Sequence, residues 1–203
     1  GKVYHDPNSG WAKSRPKKRV PRRRVRYAPK PAELGYLQLD TIERLLDGLT
    51  VYFYSGVDVK GKFAFSLPYR QKTSANAVDF WKKFVQVYPL PVRAVQTDNG
   101  SEFLGEFEDH LSQNHVPQHF TYPRCPKVNG CIERYQRSFN EEFLQVHEFT
   151  IRHPQEFHLH LADFLVFYNC ERAHQALAFQ TPLAYLLSQR AFSKMSVTST
   201  HCV

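Results

Sequence analysis

The sequence predicts an α/β or α+β domain built on a mixed sheet, and three observations support this fold class. Three strand-like segments come first, joined by the turn dipeptides Asp47-Gly48 and Lys60-Gly61, which is typical of an antiparallel meander. Helical and strand-like segments then alternate. The last third is mainly helical. We therefore expect a five-stranded mixed sheet flanked by helices.

The five predicted strands either alternate between apolar and polar residues or are rich in Val, Phe and Tyr. They cover residues 36–40, 49–59, 62–68, 92–98 and 118–121. Five helices are predicted from apolar residues at helical spacing or from capping residues. They start at Thr73 or Ser74, near Ser101, near Asn129, at Pro154 and at Thr181, where Thr181-Pro182 resembles an N-cap followed by proline at the first helical position.

The charge of the chain is unevenly distributed. The whole chain has 27 Lys and Arg against 19 Asp and Glu, a net charge of +8. Residues 1–30 hold 11 basic residues and one acid, whereas residues 31–203 hold 16 basic and 18 acidic residues. We expect a basic extended arm or linker over 1–30, a folded core over 31–190 and an unstructured tail over 191–203. The composition excludes a uniformly basic globule.

The dense basic run of the arm, residues 15–26, predicts nucleic-acid binding, because clustered Lys and Arg release counterions from phosphates. A solubilising or localisation tail is the alternative. If the arm binds DNA, the residues expected to contact it are Lys17, Lys18, Arg19, Arg22, Arg23, Arg24 and Arg26.

Several other classes are excluded by the sequence. No segment approaches the ~20 apolar residues of a membrane span, and no signal-peptide core is visible. The four cysteines form no CxxC pair, and Cys125 and Cys131, with five residues between them, have no His beside them, which disfavours a zinc site and favours reduced thiols. We expect a cytoplasmic, nucleoid-associated protein without a membrane partner.

Most acidic residues are explained by positions on solvated helix faces, but three are not. Asp40 and Asp98 each end a predicted strand, and Glu133 lies in the first turns of a helix. Strand ends and nearby helix starts are where sites are assembled in open α/β sheets. Three carboxylates from separate elements suit Mg²⁺ or Mn²⁺. From spacing alone, three unrelated acids explain the pattern equally well.

The surrounding motifs are more specific than the acids themselves. Residues 96–103, QTDNGSEF, and 129–135, NGCIERY, strongly resemble the second and third acid motifs of the DDE transposase and retroviral integrase core. Leu39-Asp40-Thr41 resembles the first motif, and the segment from Tyr168 to Pro182 resembles the one that closes this domain in bacterial insertion-sequence transposases. Four motifs occur in the right order over about 34–187.

This resemblance implies a ribonuclease H-like fold with Asp40, Asp98 and Glu133 as the catalytic, metal-binding triad. Two Mg²⁺ or Mn²⁺ ions are implied, with Asp40 bridging them. In that family, water first attacks a phosphodiester at the element end, and the freed 3′-hydroxyl then attacks target DNA. The implied partners are double-stranded DNA, at element ends and at the target, and further copies of the same chain on that DNA.

Departures from the family pattern leave two alternatives open. Between Asp98 and Glu133 lie 34 residues, one fewer than in many members. Cys131, Ala173 and Val128 stand where lysine, proline and threonine are frequent. A domesticated, inactive DNA-binding protein and a ribonuclease H-type nuclease therefore remain alternatives.

Further DNA contacts are expected around the third acid, at Lys127, Asn129, Arg134 and Arg137. Asn129 either orients substrate or caps the helix, and Arg137 either contacts DNA or pairs with Glu141. For Glu102, three residues after Asn99, a capping role is expected.

Overall fold

The computed structural model describes residues 22–189. Lys17, Lys18 and Arg19, and the predicted tail over 191–203, lie outside the described residues. The six strands are β1 (Arg23–Val25), β2 (Tyr36–Leu46), β3 (Leu49–Asp58), β4 (Ala64–Tyr69), β5 (Ala94–Thr97) and β6 (Gln118–Thr121).

The helices are α1 (Ser74–Val87), α2 (Glu106–Gln113), α3 (Gly130–Phe139), α4 (Gln145–His147), α5 (Pro154–Val166) and α6 (182–189). Shorter 3₁₀ segments occur at Ser101–Phe103, Pro126–Asn129, Glu148–Arg152 and Gln175–Leu177, and π-helical segments occur at Asn140–Leu144 and Phe167–Glu171. In the described part of the chain, no helix has the length and apolar character needed to span a bilayer.

The strands form one mixed sheet in the order β1-β6-β5-β2-β3-β4. The predicted antiparallel meander of β2, β3 and β4 is confirmed, and β5 and β6 add to it in parallel. The predicted mixed sheet is therefore correct, but it contains six strands and not five. The sixth is β1, which the sequence had assigned to the arm and which pairs in parallel with β6.

Helices cover both faces of the sheet, and each face has its own apolar core. On one face, α1 and α2 pack through residues such as Phe80, Phe84 and Phe107. On the other face, α3 and α5 pack through residues such as Phe139 and Phe164. Of the two residues predicted to start the first helix, Thr73 and Ser74, it is Thr73 that caps α1. Its side chain accepts a hydrogen bond from the Asn76 amide.

Two predicted elements differ from the structure. The helix expected from Ser101 to Asn114 is broken at Gly105, whose φ of +61° is left-handed, so a 3₁₀ turn precedes α2. The strand expected to end at Asp40 continues to Leu46. Every residue from Leu37 to Leu46 pairs with β3, and this pairing carries β2 beyond the end of its contact with β5.

Candidate active site

The register of β2 against β5 brings Asp40 and Asp98 together. Gln38 pairs with Gln96, which is the last matched pair of these parallel strands, and each acid lies two residues further on. The acids therefore occur at the same edge of the parallel part of the sheet, as predicted. Asp40 is nevertheless a mid-strand residue, because β2 continues to Leu46. Beyond Gln38, β2 pairs only with β3, so Asp40 lies next to the point where β5 ends.

Polar contacts hold both carboxylates in place. Asp40 Oδ1 accepts a hydrogen bond from the Thr41 amide at 2.8 Å, and its Oδ2 accepts one from Gln136 Nε2 at 3.0 Å. Asp98 Oδ1 accepts one from the Gly100 amide at 2.8 Å. The orientation of these side chains is thus fixed by the turn after β5 and by α3.

The two carboxylates repel each other in a partly desolvated setting. Burial and then the neighbouring charge of Asp98 raise the pKa of Asp40 to about 6. Burial also raises the pKa of Asp98. Raised pKa values of adjacent carboxylates are a signature of functional sites, because active sites commonly combine burial with neighbouring like charges.

Glu133 lies on α3, in the first turn, and is exposed. It precedes Gln136 by three residues and so shares the face of the helix from which Gln136 reaches Asp40. Within residues 22–189, no three His, Cys, Asp or Glu side chains are arranged compactly enough to hold a metal ion. The structure thus brings Asp40 and Asp98 together and leaves Glu133 on the adjoining helix face.

A fourth acid, Glu102, belongs to the same neighbourhood, although a capping role was expected for it. Its side chain is only 1% exposed and forms an ion pair with Lys72 at 3.1 Å. No side-chain capping bond is present in that turn. A Cβ atom added to Gly100 would lie 2.5 Å from Glu102 Oε2 and 2.9 Å from Asp98 Oδ1, which shows how close the two carboxylates are.

The Lys72 side chain is the cation of this acidic neighbourhood. Burial disfavours its charge, but the hydrogen bond to Glu102 and the charges of Glu102, Asp98 and Asp40 raise the pKa of Lys72. No pattern in the sequence indicates this role for Lys72, because a single lysine in a loop before a helix is usually solvated. Gln136 could have been found from its i,i+3 relation to Glu133.

The donor atoms present are compatible with a divalent hard cation. Asp40 and Asp98 supply carboxylate oxygens, which Mg²⁺ and Mn²⁺ prefer. Among the described residues, Glu102 Oε2 and Thr41 Oγ1 are buried and lack a hydrogen-bond partner. A buried carboxylate oxygen that accepts no hydrogen bond is destabilising unless a cation or a water molecule contacts it. The site therefore has an unmet need for positive charge.

The expected DNA-contacting residues of this region fall into different surroundings. Asn129 does not cap α3 with its side chain. Its Oδ1 accepts hydrogen bonds from Gln96 Nε2 at 2.8 Å and from Thr121 Oγ1 at 2.9 Å. Arg137 is exposed, and its expected ion pair with Glu141 is not among those formed in the described part of the chain. Lys127 and Arg134 line a separate cavity on the other flank of α3.

The arm residues described by the structure are docked on the sheet. Arg22 forms a two-point contact with Glu108 at 3.0 and 3.1 Å, and Arg26 lies over the ring of Tyr122 at 4.3 Å. Arg24 stacks more loosely on the same ring, at 5.8 Å. DNA contacts of these arginines stay a prediction, as do those of Arg23 and of the residues around α3.

The mixed sheet with helices on both faces, and with an acid pair at the edge of its parallel strands, has the architecture of the ribonuclease H-like fold. Residues 114–182 match the family model described as the integrase core domain. The chain is 30% identical over 200 residues to the putative integrase ORF3 of Spiroplasma virus SpV1-C74, covering 88% of this chain and 54% of that protein. It therefore spans about half the length of the curated relative that it matches.

Solved structures show the same fold. The HTLV-2 integrase catalytic core domain in complex with magnesium, in its trimeric form, superposes with a TM-score of 0.60 at 16% identity, over 74% of this chain and 94% of that one. The BIV integrase core gives 0.60 at 18% identity, over 78% and 98% of the two chains. A chain of the simian T-cell lymphotropic virus intasome in complex with the PP2A regulatory subunit B56 gamma gives 0.62 at 17% identity, over 83% and 59% of the two chains. The resemblance to the integrase core that the acid motifs indicated is thus confirmed.

Proposed function

We propose that the protein is a divalent-metal-dependent DNA integrase or transposase that cuts DNA at element ends and joins the new 3′-hydroxyl to target DNA. The observation that carries the proposal is the placement of Asp40 and Asp98 at the same edge of the parallel pair β2 and β5, beside the α3 face that bears Glu133. Integrase relatives and folds support it. The activity of the longer relatives as a whole is part of the proposal.

Asp40, Asp98 and Glu133 would hold Mg²⁺ or Mn²⁺, two ions in the full arrangement. When bound, the ions would neutralise charge on the phosphodiester and lower the pKa of the attacking hydroxyl. Gln136 orients the Asp40 carboxylate, and the Gly100 amide orients that of Asp98. Lys72 supplies a positive charge at the site entrance, where a phosphate must approach a cluster of acids.

Double-stranded DNA is the proposed substrate, and a homo-oligomer on DNA is the proposed working form. The solved relatives include a trimeric core domain and an intasome, as their descriptions state. The proposed setting is the bacterial cytoplasm, at the nucleoid.

The test uses an end-labelled duplex taken from the DNA that flanks the gene. The full chain is incubated with Mg²⁺, Mn²⁺ or EDTA, and cut and joined products are separated on a denaturing gel. We expect cutting and joining with either metal and neither product in EDTA. Asp98→Asn and Glu133→Gln should abolish both, while Glu141→Gln, an exposed acid further along the same helical segment, should keep them.

The other outcomes identify the alternatives. Binding of the duplex without metal-dependent cutting would indicate an inactive DNA-binding descendant. Cleavage of an RNA–DNA hybrid without joining would indicate a ribonuclease H-type nuclease. Either result would contradict the proposed function.

A further inference from the structure

A second candidate site lies beside α3, away from the acids. It is a cavity of about 860 Å³, and its lining includes Lys62, Lys127, Arg134 and Arg172. No Asp or Glu is among the lining residues that the structure describes. We call it the basic cavity. Four cationic side chains converge here from four separate segments, although the chain from residue 31 onward has a net negative charge.

The basic cavity and the acid site lie on opposite flanks of one helix. Residues 131, 134, 135 and 138 of α3 line the cavity. Glu133 and Gln136 lie roughly half a turn away, on the flank that contacts Asp40. The buried Ile132 and Phe139 anchor α3 in the core between the two flanks, so α3 forms a ridge with an acidic site on one side and a cationic site on the other.

Two of the cations are held in place by the protein. Arg172 Nη2 lies 2.7 Å from Glu142 Oε1, and its guanidinium lies over the ring of Tyr168 at 5.5 Å. Lys62 Nζ contacts the Val59 carbonyl and, at 3.4 Å, Cys131 Sγ. Held cations bind an anion at a smaller entropic cost than free side chains do.

The thickness of the ridge matches a short stretch of nucleic acid backbone. An α-helix with its side chains is about 10–12 Å across. Successive phosphates of one DNA strand are about 3.4 Å apart along the axis. A strand that places one phosphodiester at Asp40 and crosses α3 would therefore bring a phosphate about three nucleotides away to the opposite flank.

We propose that the basic cavity binds a backbone phosphate of the DNA, about three nucleotides from the phosphodiester that reacts at Asp40 and Asp98. The position of that phosphate rests on the proposed function, whereas phosphate binding by the cavity does not. Arg134 and Lys127, which the sequence grouped with Arg137 around the third acid, serve this second contact. Lys62 and Arg172, which no sequence pattern had assigned to DNA binding, complete it, although the charge of Arg172 is partly offset by Glu142.

The experiment measures binding of the full chain to a fluorescent duplex by anisotropy in EDTA, at several salt concentrations. Arg134→Gln and Lys62→Gln should each weaken binding about three- to tenfold. Each should also lower the slope of log affinity against log salt by about 1, as expected for one lost phosphate contact. Lys82→Gln removes an exposed charge from α1, and it should change neither quantity. Thermal unfolding of each variant checks that the fold is kept.

A second arm locates the contact by replacing single phosphates with neutral methylphosphonates. In the wild-type protein, replacement two to four nucleotides from the cut position should weaken binding, and in Arg134→Gln the same replacement should have no further effect. Sensitivity at other positions only would overturn the assigned position.

Three results would overturn the site itself. One is unchanged affinity and salt slope in both variants. Another is the absence of any binding by the wild-type protein. The third is stabilisation by inorganic phosphate that Arg134→Gln removes without any loss of duplex affinity, because that would indicate a small-anion site. Loss of cutting activity would instead concern the proposed function, since binding is measured without metal.

Discussion

Lys72 Nζ lies 3.1 Å from Oε1 of Glu102, and this ion pair joins the loop before α1 to the turn after β5. The acid is almost wholly buried, whereas the lysine is 39% exposed. The pair therefore fixes the turn that carries Asp98 and places a cation at the entrance of the acid site.

Replacing Lys72 by methionine should destabilise the protein by about 2 kcal/mol, because Glu102 would remain buried without its partner. Urea unfolding measures the change. Lys83→Met removes an exposed i,i+4 pair with Asp79 and should cost less than about 0.5 kcal/mol. Adding Glu102→Gln to Lys72→Met should recover part of the loss. Equal losses of stability in the two lysine variants would show that the Lys72–Glu102 pair contributes no more than an exposed ion pair.

Asp40→Asn should stabilise the metal-free protein at neutral pH. The pKa of Asp40 is about 6 in the folded chain, above its ordinary value, so the folded state binds the proton more tightly than the unfolded state does. Stability from this group is greatest at low pH and is lost as pH rises through 6. We expect a gain of about 1–2 kcal/mol at pH 7.5, which fades by pH 4, measured by urea unfolding in EDTA.

Asp58 provides the contrasting case for the same experiment. It is fully buried on β3 and accepts hydrogen bonds from the amides of Gly35 and Lys60, at 2.7 and 2.8 Å, and from the Tyr88 hydroxyl. Asp58→Ala should destabilise by about 3 kcal/mol, because several donors would lose their acceptor. If Asp40→Asn and Asp58→Ala both destabilised the protein, the charge repulsion assigned to Asp40 would be refuted.

Binding of Mn²⁺ should weaken about tenfold between pH 7 and pH 5, because protonated Asp40 cannot act as a ligand. Isothermal titration calorimetry or the electron paramagnetic resonance signal of free Mn²⁺ provides the measurement. Asp98→Asn should remove most of the binding at both pH values. An affinity independent of pH over this range would mean that Asp40 is not a ligand.

Gly100→Ala should disturb the acid site, because its Cβ would lie 2.5 Å from Glu102 Oε2. Glu102 is buried and paired, so it has little room to retreat, and we expect a loss of about 1–3 kcal/mol. Gly130→Ala is the matched control, since Gly130 is helical and a Cβ there would meet no atom within 4 Å. That substitution should be neutral or slightly stabilising. Thermal unfolding of the two variants side by side would show the difference, and equal unfolding temperatures would contradict the close approach.

The acid pair could be predicted because it depends on local order. A strand followed by Asp98-Asn99-Gly100 ends there in almost any α/β sheet, and the acid motifs have fixed neighbours along the chain. Glu102 could not be recognised in this way. Its burial depends on the 3₁₀ turn after β5 and on contact with Lys72, thirty residues earlier, which only the folded chain brings about.

The sixth strand was missed for a different physical reason. Arg23-Arg24-Val25 has little β propensity of its own, and its charge favours a solvated arm. Its strand conformation comes from the free edge of β6 and from the contacts of the flanking Arg22 with Glu108 and of Arg26 with Tyr122. Tertiary contacts of this kind leave no periodic trace in the sequence.

The docked strand β1 has a practical consequence for the solution behaviour of shortened forms of the protein. A fragment beginning at Pro31 would uncover the backbone of Gln118–Thr121, and an uncovered strand edge is a template for pairing with another molecule. In the longer chain, that edge is capped by a strand whose arginines repel a second copy. We therefore expect a core fragment that keeps Arg23–Val25 to self-associate less than one that begins at Pro31.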